Sequence, residues 1–237
     1  TWSSVDLDPS MRVSGRFTGG LYDEVGDVLY LSLATGATQD IIAFDLASTP
    51  VTPRVLVADT TAPIERAGWA LSRERSEILL FGGSLVDLVH RIDLSTSMGL
   101  EELSTRMLQP LFSPVVVWDP VSSRYLLGYG VAPPDVLVDD MWWFDPEAGT
   151  FTELETGGGP ASSVFGWLGR VRDADDLLFW VGANTPFEVG EYELVVVDRA
   201  GDRLEPAHTM GVDLPRAKRH GLAAMAGRAV VFPGGID

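Results

Sequence analysis

The chain contains no cysteine, so disulfides, thiolate nucleophiles, iron–sulfur clusters and cysteine-ligated zinc are excluded for it. Histidine is nearly as scarce. His90, His208 and His220 stand far apart, and none belongs to a His-x-x-x-His pair of the kind that presents two ligands on one helix face. Basic residues number 17 against 34 acidic ones, for a formal net charge of -17. That balance repels phosphate backbones and anionic head groups, which argues against nucleic acid and membrane surfaces as partners. Of the basic residues 16 are arginine and one is Lys218, a skew read here as genomic bias. No stretch approaches the roughly 18 to 20 uninterrupted apolar residues of a bilayer-crossing helix. No Gly-x-Ser-x-Gly elbow occurs, and Gly157-Gly158-Gly159-Pro160 lacks the lysine of a phosphate loop and reads as a turn. Amphipathic helical spacing is almost absent as well.

What is present is a repeat. Glycines closing an apolar run fall at Gly36, Gly83, Gly130, Gly182 and Gly235, at intervals of 47, 47, 52 and 53 residues. Aspartates ending the next apolar run fall at Asp45, Asp93, Asp145 and Asp198, at intervals of 48, 52 and 53. Two markers with one period near 50 residues indicate a tandem array of a single supersecondary unit. Each copy holds short β-branched and aromatic runs bounded by Asp, Pro, Ser and Gly, as in Glu77-Ile78-Leu79-Leu80-Phe81 and Met141-Trp142-Trp143-Phe144-Asp145. Four strands per unit predict an all-β propeller of four-stranded antiparallel blades, about five in this chain with one incomplete. With 237 residues, 46% of them apolar, the chain is long enough for one such domain with a large core.

The predicted blades are 16–61, 62–110, 111–159, 160–211, and 212–237 completed by 1–15. The glycines are expected where neighbouring blades crowd the backbone or φ is positive, and the aspartates where a side chain accepts N–H bonds of the following turn. Thr1-Trp2-Ser3-Ser4-Val5 reads as an outer strand, while the other end stops at Gly235-Ile236-Asp237, after a second strand. The last blade then lacks its third strand. Either a compact ring closes through a three-stranded blade, or a protein partner or the remainder of a longer chain fills the open edge.

These motifs resemble the Kelch repeat family, whose blades carry a di-glycine after one strand, an aromatic-Asp strand end and a tryptophan on an outer strand. The matching residues are Leu79-Leu80-Phe81-Gly82-Gly83, Trp142-Trp143-Phe144-Asp145 and Val230-Val231-Phe232-Pro233-Gly234-Gly235, the last preceded by Pro215 to Gly221. Departures are Ala34-Thr35-Gly36, Val181-Gly182-Ala183, and Phe151 in place of the outer tryptophan. The resemblance implies a non-enzymatic module for protein interaction or assembly. It leaves open a carbohydrate- or cell-surface-binding propeller, or an enzyme of sugar isomerase or lyase type acting at the channel mouth. Copper radical oxidases of Kelch type need a cysteine crosslinked to tyrosine, which this chain lacks. Kelch-like chains of this arginine-rich type are often exported, so a start on Thr1 fits an extracytoplasmic location.

Candidate binding residues gather in the loops that follow the glycines: Asp87, then Asp135, Asp139 and Asp140 with Trp142, then Glu188, Glu191 and Glu193. Convergent carboxylates suit a hard cation such as Ca²⁺, although no Ca²⁺-loop motif is present and solvated loop charge is the simpler reading. Alternation puts Trp142 and Trp143 on opposite faces of one strand, so at least one packs between blades; core packing is the favoured use of both, and an exposed one would anchor a partner or stack on a sugar ring. Arg216, Lys218 and Arg219 form a basic cluster suited to an acidic partner or to neighbouring carboxylates.

Overall fold

The computed structural model describes residues 15–96, 99–138 and 140–155, and beyond them the strands at 167–170, 177–181, 193–200, 203–206, 223–225 and 229–231, mostly as backbone. Every regular element is a strand. Sheet 1 comprises β1 (Arg16–Asp23), β2 (Val28–Ala34), β3 (Gln39–Asp45) and β4 (Pro53–Thr60). Sheet 2 comprises β5 (Gly68–Ser72), β6 (Glu77–Phe81), β7 (Val86–Asp93) and β8 (Leu100–Leu111). Sheet 3 comprises β9 (Val115–Asp119), β10 (Arg124–Gly128), β13 (Met141–Asp145) and β14 (Thr150–Leu154). Between its middle strands a small hairpin rises, β11 (Val131–Ala132) and β12 (Val136–Leu137), where the sequence predicted a plain loop. Sheet 4 holds β15 (Trp167–Arg170), β16 (Leu177–Val181), β17 (Glu193–Asp198) and β18 (Arg203–Pro206), and β19 (Ala223–Met225) pairs with β20 (Ala229–Val231).

Each four-stranded sheet is an antiparallel meander with its strands in chain order. The first strands adjoin one another, β1 beside β5, β5 beside β9 and β9 beside β15, so the sheets are arrayed around a shared inner line of strands. In sheets 1 to 3 the turns joining first to second and third to fourth strands lie on one side, the turn face. Their second-to-third loops and the connections from sheet 1 to 2 and from sheet 2 to 3 lie on the other, the loop face.

Packing follows from sheets covered on both sides. In β6 every residue of Glu77–Phe81 is buried, as expected where a strand is sandwiched and polar alternation would strand a polar group in the core. Ile78, Leu80 and Ile92 join Ile41, Ala43 and Leu56 of sheet 1 in one cluster, whereas Leu79, Phe81 and Val89 join Tyr125, Leu127 and Phe144 of sheet 3 in another. Phe81 meets the Phe144 ring edge-on at 5.5 Å and Tyr125 at 5.7 Å, geometries that add about 0.5–1.5 kcal/mol per pair beyond burial. Leu126 and Trp143 pack on the far side of sheet 3 with Val197 of β17.

Of the recurring glycines, Gly36, Gly83 and Gly130 are described and take positive φ, as expected, but the crowding at Gly83 and Gly130 comes from a different quarter. A Cβ on Gly83 (φ 90°) would meet Ala67 N and Glu65 O at 3.0 Å, and one on Gly130 (φ 102°) would meet Phe112 O at 2.7 Å. Both contacts are to the segment entering the first strand of the glycine's own sheet, not to a neighbouring blade. The aspartates do what was expected of them: Asp45, Asp93, Asp145 and Asp198 each accept the main-chain N–H two residues ahead, at 2.8–3.1 Å.

Candidate functional site

On the turn face, polar side chains are committed to the fold. The first strands of sheets 1 to 3 end in Asp23, Ser72 and Asp119, a third periodic marker, and each side-chain oxygen accepts an N–H of its own turn. Asp23 also takes the Arg73 guanidinium of sheet 2. Asp119, with no exposed side-chain surface, takes a bidentate pair from Arg199 of sheet 4, at 2.6 and 2.9 Å. Burial pushes the Asp119 carboxyl up, but hydrogen bonds from Arg199 and Ser122 and the arginine's charge outweigh it and hold the group below its ordinary value. Between sheets 2 and 3 the buried Tyr125 hydroxyl donates to Glu77 Oε1 at 3.0 Å, and Arg75 caps the same oxygen at 2.7 Å. Burial, reinforced by the Glu77 charge, keeps Tyr125 fully protonated. Nearby, the Trp118 indole donates to Glu74 at 2.8 Å.

The loop face is constructed differently. Its frame is a relay of main-chain bonds from sheet to sheet: Arg66 N–H donates to Thr18 O, and Ser113 N–H donates to Arg66 O, both at 2.9 Å. A bulge between Phe17 and Gly19 leaves Thr18 out of the β1–β2 ladder, which frees its carbonyl for this role. Arg66 and Ser113 hold left-handed φ values of 57° and 55°. Ser84 N–H ties the β6–β7 loop to Glu65 O, and Phe112 exchanges two bonds with Val131, all at 2.9 Å. The face is therefore a fixed platform across sheets 1, 2 and 3.

On that platform sit exposed apolar side chains. Phe17 is 61% exposed, Val136 55% and Leu85 42%, with Leu108 exposed near the same end of β8. Leu85 is the most telling of them. It closes four consecutive positive-φ residues, Gly82, Gly83, Ser84 and Leu85, and a leucine in that region costs about 1–2 kcal/mol without burying its side chain in return.

The carboxylates expected to bind fall into two groups. Asp87, Asp135 and Asp140 lie on the loop face, on β7, at the tip of the β11–β12 hairpin and just before β13. Asp139, Glu188 and Glu191 lie outside the described residues, as do His208, His220 and the cluster of Arg216, Lys218 and Arg219. Among the described residues no three His, Asp or Glu side chains are grouped to hold a metal ion, so Asp87, Asp135 and Asp140 do not by themselves make a Ca²⁺ site. Trp142 is not on a surface: it is buried at 4% exposure in the cluster between sheets 2 and 3. Trp143 is buried on the opposite side beneath the Arg124 guanidinium, 4.4 Å from its ring centre. His90 is buried in sheet 2, cross-strand from Leu80 and Glu102, with its Nδ1 unpartnered. Burial lowers its pKa, with Glu102 opposing and Arg106 reinforcing.

Sequence reasoning missed the loop-face apolar residues. Phe17, Leu85 and Val136 look like ordinary strand and loop hydrophobes, and only the bulge and the left-handed turns turn them outward.

No protein-family model matches the chain, and no curated protein matches it. Among solved structures it resembles YjhT, with a TM-score of 0.57 and 10% identity over 72% of this chain and 57% of that one. It also resembles TolB from Acinetobacter baumannii, with a TM-score of 0.53 and 13% identity over 81% and 43% of the two chains. A third is a fungal alcohol oxidase of the AA5 family solved in complex with copper, with a TM-score of 0.52 and 15% identity over 84% and 45%. The chain spans about half the length of these structures. At such identities the likeness concerns the fold alone. Together with four antiparallel four-stranded sheets arrayed by their first strands, it makes this chain a β-propeller.

Proposed function

We propose that this chain is a non-enzymatic, Kelch-like propeller module that docks a protein partner on its loop face. The observation that carries the reading is Leu85, an exposed leucine held in a left-handed turn on a hydrogen-bonded platform, with exposed Phe17 and Val136 on the same face. Strain at an exposed apolar residue is characteristic of positions kept for contact, and apolar side chains in a polar surround are the anchors of protein interfaces. The Kelch-like part of the reading rests on Gly82-Gly83 and on the aspartates that cap each third-strand turn. Propeller neighbours are consistent with a binding or interaction module.

A peptide-display selection against the intact chain tests this. Selected peptides are expected to lose binding to a Phe17→Ser/Leu85→Gly/Val136→Ser variant and to retain it on Tyr22→Ser/Val25→Ser/Val121→Ser, which strips the exposed apolar residues of the turn face. Binding lost only on the second variant would place docking on the wrong face.

A further inference from the structure

We infer that the segment held on the loop face is a cationic polypeptide stretch with apolar anchors; this deepens the docking reading above and rests on it. The charge on that face is asymmetric. Arg16 is neutralised by Glu65 at 2.8 Å, Asp40 accepts the Asp59 N–H, and Asp59 accepts the Thr38 hydroxyl. Arg66 is directed over the Phe112 ring, 4.7 Å from its centre. Asp87, Asp135 and Asp140 remain, and among the described residues their carboxylates take no hydrogen bond and no ion pair. Asp87, Asp135 and Asp140 thus present carboxylates without a partner among the described residues on the face that carries Phe17, Leu85 and Val136, and the hydrogen-bonded Asp40 and Asp59 add to its negative charge.

Unpaired carboxylates beside exposed apolar groups repel an acidic partner and attract a basic one, and the overall charge of -17 extends that attraction to long range. A second copy of this chain is disfavoured for the same reason, since it would bring like charges together. The dimensions suit a short extended stretch. Sheets packed about 10 Å apart place the loops of three sheets across about 20 Å, which six or so extended residues span at about 3.3 Å each. Alternating arginine or lysine with leucine or an aromatic would place cations against the carboxylates and side chains against the apolar groups.

Fluorescence anisotropy with three labelled peptides of about ten residues tests the inference: leucine alternating with arginine, with glutamine, or with glutamate. The arginine peptide is expected to bind the intact chain. It should weaken about tenfold, roughly 1.4 kcal/mol, on Asp87→Asn/Asp135→Asn/Asp140→Asn, and to a similar degree on Phe17→Ser/Leu85→Gly/Val136→Ser. Raising the ionic strength should weaken it further. Asp45→Asn/Asp93→Asn/Asp145→Asn serves as the control, because it removes the same charge from the turn face while asparagine still accepts the turn N–H. Equal weakening by this control would reduce the binding to bulk charge and overturn the inference. Tight binding of the glutamine or glutamate peptide, lost on the apolar variant, would overturn the charge assignment and leave the docking reading standing. Binding indifferent to the apolar variant, or no binding by any peptide, would overturn the inference as a whole.

Discussion

The two faces of this propeller carry the same chemical groups and use them in opposite ways. On the turn face a carboxylate is a structural part: Asp45, Asp93 and Asp145 cap turns, Asp23 and Asp119 clamp adjacent sheets through Arg73 and Arg199, and Glu77 receives a buried tyrosine. On the loop face Asp87, Asp135 and Asp140 have no partner among the described residues, while main-chain bonds do most of the clamping. The difference teaches where selection for stability ends. A face held together mainly by its main chain leaves several side chains free to meet something else.

The largest effect should come from the clamp with the least solvent. Asp119→Ala leaves the Arg199 guanidinium, whose side chain is 17% exposed, without its partner; the expected loss is about 3 kcal/mol, read from urea unfolding. Next, Gly130→Ala forces a Cβ to 2.7 Å from Phe112 O at φ 102°, for an expected cost of about 2 kcal/mol. Tyr125→Phe leaves Glu77 with one donor fewer in a buried site, at about 1–2 kcal/mol.

Acid should act through the turn face as well. Hydrogen bonds from the Ser95 hydroxyl and N–H lower Asp93, the Ala148 N–H lowers Asp145, and Asp119 is held low by Arg199 and Ser122 against burial. A carboxyl with a depressed folded-state pKa adds stability that is complete above its unfolded value, about 3.9, and lost as pH falls through the folded one. The urea midpoint should therefore hold steady down to about pH 5 and decline below about pH 4, with a smaller decline in Asp119→Asn. A midpoint flat through that range would mean that the clamps contribute no net stability. The smallest effect belongs to the loop face: Asp87→Ala or Asp140→Ala should change stability by no more than about 0.5 kcal/mol.

Much of the propeller was legible in the sequence, because its strands are short apolar runs closed by residues with a turn function. Met141–Asp145 and Thr150–Leu154 could be read directly from the Asp-Pro turn between them. The marker at Asp23, Ser72 and Asp119 was not legible, since the residue type changes and the partner arginines come from non-equivalent turns, Arg73 after β5 and Arg199 after β17. Core packing was the favoured use of both Trp142 and Trp143, and both are buried, because sheet 3 is covered on both sides. For the candidate site, the loop position of Asp87, Asp135 and Asp140 could be read from the glycine repeat. Their lack of partners could not, because it depends on Arg16 turning to Glu65 and Arg66 to Phe112.

The division of labour between the faces is tested most directly by urea unfolding of two matched triple variants. One is Asp45→Ala/Asp93→Ala/Asp145→Ala on the turn face. The other is Asp87→Ala/Asp135→Asn/Asp140→Ala on the loop face, with asparagine kept at 135 because φ there is 80°. The first should unfold at clearly lower urea than the natural chain, and the second at the same urea or higher, since it relieves repulsion without breaking a contact. A loop-face variant that unfolds as early as the turn-face one would contradict the account.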